Sequence, residues 1–178
     1  MDASQQQARL KILGNALPSD LGSAAPALQQ RHDGEAITPE HESEAVRLHT
    51  MLEVAFLAAA ADGEFSEDEI RNLSANLQSW LQTDLDGEFF ADVFGDLGEQ
   101  LAAEGFAARL AAAAALLDTE SRRVAYKLAC VTVLCDLEVR DEELDVLGRI
   151  ATAFDIPEAE GQATFDELDA TVTALAQA

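Results

Sequence analysis

The chain has 178 residues, and its 48% hydrophobic and 25% charged residues are typical of a globular protein. The 34 Asp and Glu residues against 11 Lys and Arg give a net charge of −23. This charge excludes most nucleic-acid binders and disfavours anionic membrane surfaces, because both depend on clustered cations. The sequence has neither an apolar run near the roughly 20 residues of a membrane span nor a secretory signal, so we expect a cytoplasmic protein.

The first segment of the chain, residues 1–37, is predicted to be a partly ordered arm or linker. It carries a net charge of −1, whereas the helical domain predicted for residues 38–178 carries −22. Two prolines, three glycines and a Gln cluster favour irregular structure there. The apolar residues between positions 10 and 17 allow a short amphipathic helix, which would dock on the body or on a partner protein.

From Thr38 onward the sequence predicts α-helices. Thr38 is suited to an N-cap, Pro39 to the first helical position and Glu40 to the first turn. Ser66 with Glu69 three residues later predicts a capping box. Apolar spacing then predicts helices at roughly 39–61, 66–81, 86–103, 105–117, 119–135, 140–154 and 158–176. Because alternating β-branched runs are scarce, we expect an all-α fold of about seven helices.

An internal repeat is visible when the chain is compared with itself. Residues 51–73 align without a gap with residues 125–147, at a constant offset of 74. In each copy an apolar helix ends at an aspartate, a glutamate follows two residues later, and an acidic triplet opens a second helix. The corresponding acids are Asp62, Glu64 and Glu69 in the first copy and Asp136, Glu138 and Glu143 in the second. The repeat predicts a pseudo-two-fold pair of helix–turn–helix units.

The duplicated motif resembles that of the tellurite-resistance TerB-like family, in which Ala-Asp-Gly-x-apolar-x-x-x-Glu joins two helices. The resemblance covers about residues 45–175 and leaves the first segment unexplained. It implies an all-α fold and a metal-binding acidic surface with a role in stress responses. The second copy has Leu137 where the family usually has glycine. Leucine is costly at a positive φ, so either the second turn differs in shape or its acidic site is degenerate.

Hard divalent cations such as Ca²⁺ and Mg²⁺ take several carboxylate oxygens as ligands. In each unit the first aspartate ends one helix and the last glutamate lies in the first turn of the next, so a tight turn brings them together. If the units pack about a pseudo-two-fold, both pairs face one cleft, where a cation would relieve their repulsion. The candidate metal ligands are Asp62, Glu64, Glu69, Asp136, Glu138 and Glu143. The open alternative is that these acids only cap helices and complement the macrodipole.

Other site types fit the sequence poorly. An EF-hand starting at Asp62 would have Glu67 at the glycine position and Leu73 at the bidentate glutamate position. The histidines follow no ligand spacing, and Cys130 and Cys135 lie in an apolar helix where reduced cysteines act as core residues. No phosphate loop or nucleophile elbow is present, so we expect no catalytic residue and no enzyme activity.

The aromatic residues between the two units have two interpretations. The spacing of Trp80, Phe89, Phe90 and Phe94 favours core packing. The alternative is an exposed groove for a partner helix, because Phe89 and Phe90 are consecutive and point in different directions.

These observations support two hypotheses of function. The first is a non-enzymatic TerB-like stress-response module that binds a divalent cation or an effector through its acidic turns and contacts partner proteins. The second is a metal-free helical scaffold or adaptor that uses residues 1–37 or a hydrophobic groove. A carboxylate–metal hydrolase would also use acidic residues, but no nucleophile, paired base or cofactor loop accompanies them here.

Overall fold

The computed structural model describes residues 3–61, 65–135 and 139–176. These residues form nine α-helices and one 3₁₀ turn and contain no β-strand, which confirms the all-α fold class. The helices are α1 Ala3–Asn15, α2 Ala25–His32, α3 Pro39–Ala59, α4 Glu67–Leu81, α5 Gly87–Glu104, α6 Phe106–Leu116, α7 Thr119–Val133, α8 Asp141–Ala153 and α9 Glu158–Ala176, with the 3₁₀ turn at Leu21–Ala24. In this part of the chain no helix is long and apolar enough to cross a membrane.

Helices α3, α4, α5 and α7 begin at residues whose side chains cap the first turn. The Thr38 hydroxyl accepts a hydrogen bond from the backbone N–H of His41 at 3.2 Å, as the sequence predicts. Asp86 and Asp118 cap α5 and α7 in the same way, with N···O distances of 2.9 and 2.7 Å. Gly105, at φ +85°, separates α5 from α6. Local sequence therefore sets the helix boundaries.

Helix α3 lies at the centre of the fold. Every residue from Thr50 to Ala58 is buried, which is unusual for a helix of a small domain because most helices bury only one face. Its most extensive partner is α7, and it also packs against α2, α4, α5, α6 and α8. The central pair therefore consists of the first helices of the two sequence repeats.

The aromatic residues between the two units lie in the core. The Phe56 ring is 4.8 Å from the Phe65 ring in an edge-to-face arrangement and 5.7 Å from the Phe94 ring in a stacked one. The side chains expected to be in the core, or else in an exposed groove, are all buried: Trp80, Phe89, Phe90 and Phe94. Core packing, the first of the two interpretations, is therefore confirmed.

The cysteines are also in the core. Cys130 and Cys135 are both buried. Burial raises the pKa of the Cys130 thiol to about 12, so it remains protonated and unreactive at neutral pH.

The first segment packs on the helical body, which differs from the arm or linker expected for residues 1–37. The Trp80 indole N–H donates to the carbonyl of Leu10 at 3.0 Å, and the Arg9 guanidinium donates to the carbonyl of Leu134 at 2.9 Å. Helix α1 thereby contacts α4 and the end of α7, and it also packs against α9. Its apolar residues and those of α2 join the same core.

The glycines that suggested a linker are positions of close packing. A Cβ atom on Gly22 would lie 1.9 Å from the carbonyl oxygen of Leu81, and one on Gly14 would lie 2.6 Å from Cδ1 of Trp80. Both distances are shorter than any tolerable contact. Glycine is thus needed at both positions so that the first segment can approach α4.

We predict that Gly22→Ala destabilises the protein by about 1–3 kcal/mol, because the new methyl group forces the 3₁₀ turn away from the end of α4. The matched control is Gly95→Ala on α5, where an added Cβ meets nothing within 4 Å. The control should be neutral or stabilising by up to about 1 kcal/mol, through helix propensity. Urea unfolding measures both, and equal stability of the two variants would contradict the packing of the first segment.

Candidate functional site

Two of the six predicted metal ligands lie in the part of the chain that the structure describes. Asp62, Glu64, Asp136 and Glu138 fall outside it. Glu69 and Glu143, the two that the structure describes, lie in the first turns of α4 and α8.

In the first unit, Glu69 and Ser66 form the predicted capping box. The Ser66 hydroxyl accepts from the backbone N–H of Glu69 at 3.2 Å. Oε2 of Glu69 accepts from both the backbone N–H and the hydroxyl of Ser66, each at 2.7 Å. Glu69 therefore fixes the start of α4, and it does so with a single carboxylate oxygen.

In the second unit, Glu143 has a different neighbour. Its Oε2 accepts from the backbone N–H of Arg140 at 2.7 Å, and its Oε1 lies 3.6 Å from the guanidinium of the same residue. Glu143 is only 4% exposed. Because Arg140 stands where the first unit has Ser66, the second carboxylate already has a cation beside it. The second unit is therefore less suited to a metal than the first.

The end of the first unit's α3 lies beside the start of the second unit's α8. A cleft of about 340 Å³ is lined by Ala61 on one side and by Asp141, Glu142, Asp145 and Arg149, among others, on α8. Ala61 is the residue immediately before the first acidic turn. Across 3–61, 65–135 and 139–176, no three His, Cys, Asp or Glu side chains group closely enough to hold a metal.

A buried ion pair that the sequence did not suggest joins α3 to α6. Glu53, 3% exposed, accepts from the Arg109 guanidinium of α6 at 2.7 Å. Arg109 also donates to Glu104 at 3.2 Å. The hydrogen bond to Glu53 raises the pKa of Arg109. A carboxylate within the fully buried part of α3 requires a cation, and this pair holds α6 on α3. The sequence feature that could have indicated this pair is Glu53, the single acidic residue in the apolar run of α3.

His49 lies one helical turn before this ion pair. Burial lowers the pKa of His49 from its ordinary value of 6.5, because the charged imidazolium is poorly solvated there. The charged groups around it are Glu53 and Asp96, which raise its pKa, and Arg31 and Arg109, which lower it. The neutral imidazole is therefore favoured in the folded protein.

An apolar groove of about 850 Å³ runs between α6, α8 and α9. Its floor includes Tyr126, whose hydroxyl donates to the Gly161 carbonyl of α9 at 3.2 Å. Leu144 on α8 is 44% exposed at the groove. The other apolar residues that line the groove include Ala107, Leu110, Leu147, Ile156 and Phe165. The sequence analysis allowed an exposed groove at the aromatic residues of α4 and α5, whereas this groove lies among the last four helices.

Comparisons of the chain with protein-family models, with curated proteins and with solved structures give no match. The resemblance to the TerB-like family therefore depends on the duplicated sequence motif alone.

We predict that His49 makes the protein less stable as the pH falls through the range just below its ordinary pKa. The unfolded chain binds a proton at the ordinary value of 6.5 and the folded chain only at a lower pH, so acid favours unfolding across that interval. His49→Gln should remove this component of the slope below the ordinary pKa of 6.5. The control is His41→Gln, which changes an exposed histidine. This variant should keep the same pH dependence of stability as the wild type.

Free energies of unfolding from urea titrations at several pH values provide the test. Identical pH slopes for the wild type and His49→Gln would contradict the desolvation of His49.

Proposed function

We propose that this protein is a non-enzymatic, TerB-like module that binds a divalent cation through its acidic turns and contacts partner proteins in a stress response. The observation that carries the proposal is the pair of acidic helix–turn–helix units at a constant offset of 74. No catalytic residue is part of it. Ca²⁺ and Mg²⁺ are the candidate ions, because the proposed ligands are all carboxylates.

The helix packing supports an internal duplication. Helices α3, α4 and α5 contact one another, and so do α7, α8 and α9. The first helices of the two groups, α3 and α7, form the central pair. A duplicated three-helix unit with α6 as the connection would have this pattern; the repeat of sequence itself predicts only the helix–turn–helix part of each unit.

The cleft beside Ala61 supports a shared acidic surface. The residue before the first acidic turn lies next to Asp141, Glu142 and Asp145 of the second unit. A cation there would reduce repulsion between carboxylates of both units. Since Arg140 compensates Glu143, we propose that the first turn, with Asp62 and Glu64, supplies the principal ligands and that the second unit contributes less.

The metal-free adaptor remains the second candidate, and the apolar groove favours it. In that function the acids only cap their helices, as Glu69 and Glu143 do. The apolar side chains of residues 1–37 are largely engaged in the core. The groove between α6, α8 and α9, which the sequence did not suggest, is therefore a better interaction surface than residues 1–37.

We predict that millimolar Ca²⁺ or Mg²⁺ raises the melting temperature of the wild type relative to EDTA, and that Asp62→Asn/Asp136→Asn loses this shift. A ligand at 100 times its Kd stabilises the folded state by roughly 2.7 kcal/mol, equivalent to several degrees for a domain of this size. Thermal melts followed by circular dichroism measure the shift.

The control variant is Asp96→Asn/Asp169→Asn, which removes the same two charges from exposed positions on α5 and α9. It should retain the full shift, because general screening of the net charge depends little on where the charges lie. If Ca²⁺ or Mg²⁺ raises the melting temperature of both double variants equally, the ions only screen the net charge, and the cation site is refuted.

A further inference from the structure

The groove between α6, α8 and α9 has a mainly apolar lining, and it is open among the residues that the structure describes. Leu144 is one of two large hydrophobic side chains that are exposed among the described residues, and it lies at the groove. The volume of the groove, about 850 Å³, falls within the range of sites that bind small ligands.

Small residues let another chain approach the groove closely. Gly148 on α8 and Ala107 and Ala111 on α6 line it. A Cβ atom added at Gly148 would meet nothing within 4 Å, so the space above this residue is open.

The helices beside the groove are strongly acidic. Helix α8 carries four carboxylates and one guanidinium, and α9 carries five carboxylates and no basic residue. Asp145, Glu158 and Arg149 lie at the groove itself, so its charged lining is net negative within a chain of net charge −23. A complementary occupant must therefore combine apolar side chains with positive charge.

Several classes of occupant fail this requirement. A second copy of the chain carries the same net charge of −23 and would be repelled, as would nucleic acids and anionic membranes. A small apolar molecule would contact the apolar side chains of the groove but would form no ion pairs with the carboxylates beside it. An amphipathic helix satisfies both, because residues at i, i+3, i+4 and i+7 form an apolar stripe and the positions beside the stripe carry the charges.

We propose that this groove binds an amphipathic helix of a partner protein, with Lys or Arg flanking its apolar stripe. The proposal rests on the protein-interaction part of the proposed function and is independent of the cation site. Apolar side chains of the partner cover Leu144, and its basic side chains face the carboxylates of α8 and α9.

The probe is a fluorescein-labelled synthetic peptide of about 18 residues, or five helical turns, with Leu at the stripe positions and Lys beside them. A second peptide has the same composition in scrambled order, and a third has Glu in place of Lys. Fluorescence polarisation with the full chain should show saturable binding of the first peptide only, weakening as salt is raised. Binding should be the same in EDTA and in Ca²⁺, and the same for Asp62→Asn/Asp136→Asn.

The structural test uses two matched glycine variants. Gly148→Gln places a polar side chain in the groove and should weaken binding about tenfold or more, as substitutions at the centre of an interface do. Gly95→Gln makes the same change at an exposed helical glycine on α5, also with nothing within 4 Å of the new Cβ. It should bind like the wild type.

The proposal is overturned if the scrambled peptide binds as well as the amphipathic one, if no peptide binds, or if the two glycine variants bind equally. Dodecanoate binding that Gly148→Gln abolishes, without peptide binding, would indicate a small-molecule site instead. A dimer in sedimentation that Gly148→Gln dissociates would indicate self-association. Loss of the metal-induced melting shift, with peptide binding intact, would refute only the cation site.

Discussion

The burial of α3 on every side between Thr50 and Ala58 is the constraint on which the rest of the fold depends. A helix surrounded by its neighbours needs a partner for each face, and α2, α6 and α7 supply the largest of these contacts. It also needs compensation for its one buried carboxylate, which Arg109 provides at 2.7 Å. With the apolar residues concentrated around α3, the acidic residues lie mainly at the helix starts and on the outer faces.

The two proposed binding surfaces meet on α8. Asp145 and Arg149 line both the acidic cleft next to Ala61 and the apolar groove. A candidate cation site and a candidate helix-binding site thus share one turn of a single helix. The two sites are coupled only to the extent that the cation changes the free energy of partner binding.

Much of the helix pattern could be predicted because its determinants are local. Thr38 and the Ser66–Glu69 pair cap the helices that the sequence assigns to them, and the 3.6-residue periodicity identifies their inner faces. The sequence allowed a docked helix at residues 10–17 but not the full packing of residues 1–37, because Gly14 and Gly22 look like linker residues until Trp80 and Leu81 are placed beside them. The groove was missed for the same reason, since its walls come from helices that are distant in sequence.

The most direct measurement of the cation site is an NMR titration of the ¹⁵N-labelled protein with Ca²⁺ and, separately, with Mg²⁺. A site at the acidic turns predicts saturable shifts concentrated in the amides of residues 61–69 and, more weakly, of residues 135–145. Amides near Glu53 and Gly95 should remain unchanged. Small, unsaturable shifts spread over all the acidic helices would contradict it and would leave these acids as helix caps and surface charge.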